Sequence, residues 1–182
     1  MLMIKFIKVF KRIYLKALVF FKSGERLSEV YRKHYLVTLG KNVRFTGTPN
    51  WGSEPYLISI GDNVTITQDV SFLTHDGGTW VLRKELGPIN YFGKINIGNN
   101  VFIGAGVKII LGVTIGNNVV IGAGSVVAKS IPDDCVAVGV PAIPIKSYSE
   151  YKESILSKNY LIISEKNNAE RRRKIIKHLK IK

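Results

Sequence analysis

From residue 97 onward an aliphatic side chain returns every six positions without a slip: Ile97, Ile103, Ile109, Ile115, Ile121 and Val127. Four positions after each of the first five stand Val101, Val107, Val113, Val119 and Ser125, all apolar or small. Four of the six lead residues precede a glycine, at 98, 104, 116 and 122. Upstream, Ile60-Gly61, Ile66-Thr67 and Phe72 continue the rhythm, and Leu39-Gly40 with Phe45 begins it. A hexad matches neither a helix, at about 3.6 residues, nor a long flat strand, at about 2. It matches short strands joined by tight corners. One side chain per strand points inward, a small one seals each corner, and Gly or Asn takes the positive φ a corner can require. Gly98-Asn99-Asn100 and Gly116-Asn117-Asn118 suit such corners. Three hexads predict one triangular coil, and stacked coils predict a parallel β-helix around an aliphatic column. A sandwich would place turns about every 8–12 residues, a spacing this chain lacks.

The rhythm breaks once. Residues 74–94 lack it, which predicts a loop extruded from the coil, and a long loop in a regular scaffold is usually functional. After Ile131-Pro132 the repeat ends, and residues 138–142 close it. The chain thus divides into a basic helical segment (1–35), the coil (36–146) and a basic tail of one or two polar helices (147–182).

Charge sharpens this division. The net +14 is carried by the ends: residues 1–33 hold nine Lys/Arg and two Glu, and residues 146–182 hold eleven and four. The residues between are balanced, seven basic against seven acidic. Such ends suit an anionic membrane surface or nucleic acid without sequence preference, or are simply solvated helix faces. Residues 1–22 are apolar with basic residues at 5, 8, 11, 12, 16 and 22, of which those at 5, 8, 12 and 16 fall three or four apart. That spacing predicts an amphipathic helix able to lie on a bilayer or pack on a subunit. Its longest apolar run, residues 17–21, is far short of the roughly 20 residues that span a membrane. The single Cys135 excludes an intramolecular disulfide and a multi-cysteine zinc cage, so a reduced, cytoplasmic setting is expected, peripheral at the inner membrane face if the ends dock there.

Thr74-His75, residues 97–106, Gly112-Val113-Thr114-Ile115-Gly116, residues 121–127 and Gly139-Val140-Pro141-Ala142 together resemble the hexapeptide-repeat acyltransferases. The likeness is to the branch of maltose and galactoside O-acetyltransferases and polysaccharide-modifying relatives. It runs from about residue 39 to 146. It implies a left-handed coil, a homotrimer, and acetyl-CoA lying between neighbouring subunits, with no metal required. Handedness rests on the resemblance alone, since β-crossovers in general favour the right hand. The resemblance places the catalytic histidine on His75 and the residue beside the thiol end of the coenzyme on Phe102, where many relatives have Trp. It places the pantetheine contacts on Ala105 and Ala123, and the basic contacts at the adenine end on Lys129 and Lys146. Lysine lacks the two-pronged phosphate grip of arginine.

Acetyl transfer to an alcohol needs a base whose pKa lies near working pH, which favours imidazole, and His75 is the one histidine of the repeat region. The developing oxyanion needs a pre-aimed donor, for which the backbone N–H groups around Gly104 and Ala105 are candidates. Asp76 and Asp69 are near His75 in sequence, though neither is assignable as its partner. Trp80, Tyr91 and Phe92, with Trp51 upstream, either stack on a sugar ring or pack the loop on the next subunit. Arg83 meets an acidic sugar or a surface carboxylate. His34 and His178 read as structural or solvent-facing, and Cys135 as a small buried side chain. The function expected is O-acetylation of a carbohydrate acceptor. The alternatives are a drug-modifying or amine-directed acetyltransferase of the same fold, or a non-catalytic basic scaffold. No specific nucleic-acid motif is present.

Overall fold

A computed structural model describes residue 17, residues 25–164 and residues 167–181. The amphipathic stretch expected at residues 1–22 lies, except for residue 17, outside the described residues. Packing divides the chain into two units, residues 1–148 and 149–182.

In the first unit the chain visits three parallel sheets in strict rotation. The first face carries Thr38–Leu39, Ile58–Ile60, Ile95–Ile97 and Thr114–Ile115. The second carries Arg44–Phe45, Thr65–Ile66, Val101–Ile103, Val119–Ile121 and Cys135–Gly139. The third carries Ser71–Leu73, Lys108–Ile110 and Val126–Val127. Hexad leads stack in register, Ile97 on Ile115, Ile103 on Ile121 and Ile109 on Val127. One inward side chain per strand therefore builds a column in which Ile103, Ile109, Ile115 and Ile121 are fully buried. Each such burial contributes about 1.5–3 kcal/mol, which offsets the cost of ordering such short strands. Val101, Val107, Val113 and Val119 seal the corners as expected. Ser125 takes the last such place because its hydroxyl also accepts from the N–H of Gly139, at 3.1 Å, in the closing hairpin.

Coil lengths vary. Equivalent positions lie 18 residues apart in the most regular turn, 21 in the first, 37 in the coil that holds residues 74–94, and 16 in the last. One corner is held by a side-chain ladder. Asp62, Asn99, Asn117 and Asp133 each accept, through Oδ1, the backbone N–H of the coil before, at 2.6–2.9 Å. Beside it Asn100, Asn118 and Asp134 take positive φ and link amide to oxygen. The corner glycines work differently from expectation. Gly98 and Gly116 have ordinary φ; a Cβ on Gly98 would meet the Gly116 carbonyl oxygen at 2.7 Å. They allow coils to stack, while the neighbouring asparagines supply the left-handed turn.

The N-terminal end is covered by helix Glu25–Val30 and the single turn Tyr31–Tyr35. Tyr31 packs edge-on against Phe45 and Trp51, and Trp51 stacks on Phe72 with ring centroids 4.9 Å apart. At the other end Ala142–Ser147 folds back antiparallel on Cys135–Gly139. The second unit holds helix Asn168–Leu179, capped by Asn167 accepting from the N–H of Ala169 at 2.8 Å. Helix Tyr148–Leu156 begins at the junction of the two units.

Candidate active site

The third-face strand Ser71–Leu73 runs directly into the segment that carries His75. His75–Asp76 pairs antiparallel with Tyr91–Phe92, and the N–H of Gly93 returns to the carbonyl of Thr74 at 3.0 Å. His75 therefore stands at the base of a hairpin, fixed by coil on one side and strand pairing on the other. Its side chain remains 46% exposed.

Its partner comes from the preceding coil. Gly52, at φ 68, approaches the strand so closely that a Cβ there would lie 2.9 Å from the Phe72 carbonyl oxygen. This approach accompanies Ser53 and Glu54 reaching His75. The Oε2 of Glu54 lies 3.1 Å from His75 Nδ1 and accepts the Thr74 hydroxyl at 2.8 Å. The Ser53 Oγ lies 3.4 Å from the same nitrogen. Burial pushes the Glu54 carboxyl up, but hydrogen bonds from Thr74, Ser53 and His75, with the histidine's charge, outweigh it and hold the group below the usual carboxylate range. In a neutral imidazole facing a carboxylate, Nδ1 is the nitrogen that carries hydrogen, which leaves the lone pair on Nε2. A cleft of about 510 Å³ opens here, lined by Gly52, residues 72–77, Ile110 and Leu111.

Four residues that the sequence left open take defined places. Asp76 does not orient His75; its carboxylate accepts from the N–H of Gly78 at 2.8 Å and caps the turn Gly77–Leu82. Asp69 occupies a corner at φ 58 and is exposed. Trp51 is not a sugar platform, being 3% exposed within the aromatic end of the core. The N–H of Gly104 is not an oxyanion donor either, because it bonds to the Ile121 carbonyl at 2.9 Å. Glu54 was missed because nothing in the hexad count links residue 54 to residue 75; only the wrap of the coil does.

The remaining candidates fall into separate groups. On the hairpin, Trp80 is 69% exposed, with the Arg83 guanidinium 4.5 Å above its ring and Arg83 Nη2 donating to Asn90 Oδ1 at 3.4 Å. Tyr91 is exposed, and the Phe92 ring lies 6.1 Å from that of His75. On the second face Phe102 is exposed between Thr65 and Val120. Just beyond it, Gly104 lies against Ala123, and the Ala105 carbonyl accepts from Gly124 at 2.8 Å. Lys129 is exposed, as is Lys146, which lies opposite Val136 in the closing hairpin. His178 Nε2 lies 2.9 Å from the Asn159 carbonyl oxygen, and Cys135 is buried.

Comparison with known proteins agrees with this architecture. Residues 94–129 match the family model described as bacterial transferase hexapeptide, six repeats. The Staphylococcus aureus protein CapG is 49% identical over 148 residues, covering 80% of this chain and 83% of that protein. Galactoside O-acetyltransferase of Escherichia coli (strain K12) is 44% identical over 112 residues, which span 61% of this chain and 54% of that protein. A solved galactoside acetyltransferase in complex with coenzyme A superposes with a TM-score of 0.61 at 29% identity, over 85% of this chain and 88% of that one. A maltose O-acetyltransferase from Clostridium difficile 630 gives 0.50 at 32% identity, over 76% and 87%. A coil of stacked hexads with these relatives defines a transferase. The chain belongs to the bacterial hexapeptide-repeat transferase family, as one of its acetyltransferases.

Proposed function

We propose that this chain transfers the acetyl group of acetyl-CoA directly to a hydroxyl of a sugar or polysaccharide precursor, with His75 as general base. The observation that carries this reading is the 3.1 Å contact of His75 Nδ1 with Glu54, beside a cleft that His75 lines. His75 Nε2 takes the acceptor hydroxyl's proton as that oxygen attacks the thioester carbon. The new C–O bond replaces the C–S bond, and the imidazolium returns the proton to the departing thiolate. Glu54 holds the tautomer and balances the imidazolium. General-base catalysis of this kind contributes about 10²–10⁴-fold.

The second face suits the coenzyme. Gly104, Ala105, Ala123 and Gly124 form a strip poor in side chains, which leaves room for an extended pantetheine arm beside the exposed Phe102. The exposed Lys129 and Lys146 supply positive charge for its phosphates. Trp80, Arg83 and Tyr91 on the hairpin are assigned to the acceptor. The hairpin serves as the active-site loop, the coil winds left-handed as in the family, and the working unit is a homotrimer. Supporting assembly, Val81 is 78% and Leu86 60% exposed, an apolar surface that a subunit interface would cover. Among the described residues no helix is long and apolar enough to cross a membrane.

The test is free-thiol release from acetyl-CoA with a panel of oligosaccharides. His75→Ala is expected to lower turnover at least 10²-fold while the oligomer, read by light scattering, stays intact. Near-normal turnover in that variant overturns the base assignment, and transfer confined to amines overturns the hydroxyl acceptor.

A further inference from the structure

Acetyl transfer gives no role to the second unit, residues 149–182, yet that unit concentrates charge. It holds ten Lys/Arg against four Glu, whereas residues 34–145 hold seven of each. We propose that it holds the enzyme on an anionic lipid bilayer, through the basic helix Asn168–Leu179.

Three features of the helix carry this. First, it is a capped element of 12 residues, with its one acidic residue, Glu170, in the first turn and Lys177 and His178 in the last. Acid at the start and base at the end both favour the helix dipole. Second, Ile175, Ile176 and Leu179 are spaced to share one face, and Ile176, Leu179 and Ile181 are 36%, 59% and 55% exposed. Third, Arg171 and Arg173 are exposed and border that stripe on opposite sides. Arg172 lies among the aliphatic residues, where its long stem can stay at the apolar level while the guanidinium reaches upward. An apolar stripe flanked by cations matches the boundary between acyl chains and anionic headgroups. A nucleic acid would satisfy the arginines. It offers nothing to the aliphatic side chains or to Ile162, which is 76% exposed in the same unit.

The experiment is co-sedimentation of the full chain with vesicles of phosphatidylglycerol and phosphatidylcholine, of phosphatidylcholine alone, and, separately, retention on duplex DNA. Binding is expected on the anionic vesicles, weakening as salt rises. A cation near such a surface contributes about a fivefold increase in partitioning. Replacing Arg171, Arg172 and Arg173 together by Ala should therefore lower it about 100-fold, with acetyl transfer to a soluble acceptor unchanged. Ile176→Ser with Leu179→Ser should weaken binding with every charge retained. Equal binding by the arginine variant and the wild type, equal binding to both vesicle types, or retention on DNA with none on vesicles would each overturn the proposal. Because acetyl transfer is read separately, its failure and that of the lipid contact are distinguishable.

Discussion

Glu54→Gln removes one thing from the site, the charge facing His75 Nδ1. The amide keeps the side chain's length and an oxygen for the Thr74 hydroxyl, so packing is unchanged. A hydrogen bond to a charged group contributes about 1.5–3 kcal/mol and a neutral one about 0.5–1.5, a difference of about 1–1.5 kcal/mol. The His75 side chain is 46% exposed, so solvent screening reduces this to about 1 kcal/mol or less. In the thiol-release assay kcat should fall about two- to fivefold, with KM for acetyl-CoA unchanged. Glu54→Ala behaves differently. It leaves the Thr74 hydroxyl, in a residue 1% exposed, without its acceptor, and should also lower stability by about 1–3 kcal/mol. Acidity provides a further check. Burial tends to raise the Glu54 carboxyl, but the hydrogen bonds from Thr74, Ser53 and His75 prevail and lower it. Its stabilising contribution is therefore full above the ordinary carboxylate range and is lost as pH falls through the lowered native value. The Tm difference between wild type and Glu54→Gln should be widest at neutral pH and close in acid. Wild-type kcat in Glu54→Gln would refute a role for Glu54 acting through the imidazole.

Other expectations concern the scaffold. Gly98→Ala sets a Cβ 2.7 Å from the Gly116 carbonyl oxygen, a backbone contact relieved only by parting two coils. Overpacking of this kind costs about 1–3 kcal/mol, to be read as a lower Tm in calorimetry, and an unchanged Tm would contradict the stacking role. Asn118 combines φ 54 with side-chain bonds to Asn100 and Asp134. Asn118→Gly should therefore be less destabilising than Asn118→Ala in urea titrations, by about 1 kcal/mol of left-handed strain. Burial raises the Cys135 thiol, and the charges of Asp134 and Asp133 add to it. Native protein at pH 8 should react slowly with a disulfide reagent and fully once unfolded, so rapid native labelling would show that the last coil opens.

The core was legible because its signal is local. Ile97 through Val127 repeat within a window that any reader of the chain can count, and their burial follows from the count. Relations across coils were not legible in this way. Glu54 meets His75 only because the first coil is 21 residues long and the chain turns at Gly52. Trp51 looks like a surface aromatic beside a loop, yet it fills the broad end of the column, where Tyr31 and Phe72 leave ring-sized space. The corner glycines show that one residue type can answer two demands. Positive φ and the lack of a Cβ both select glycine, and a single sequence does not separate them at residues 98 and 116.

The corner ladder has a direction. The carboxylate or amide oxygen that completes each turn's main-chain N–H belongs to the turn made after it: Asp62 serves Lys41, Asn99 serves Asp62, Asn117 serves Asn99 and Asp133 serves Asn117. A polypeptide emerging from the ribosome amino end first therefore carries a provisional last rung at every moment, waiting for its successor. Loss of Asp133 by premature termination would leave the preceding amide exposed at a raw edge. The damage from such a truncation should accordingly spread backward along the column, one storey at a time.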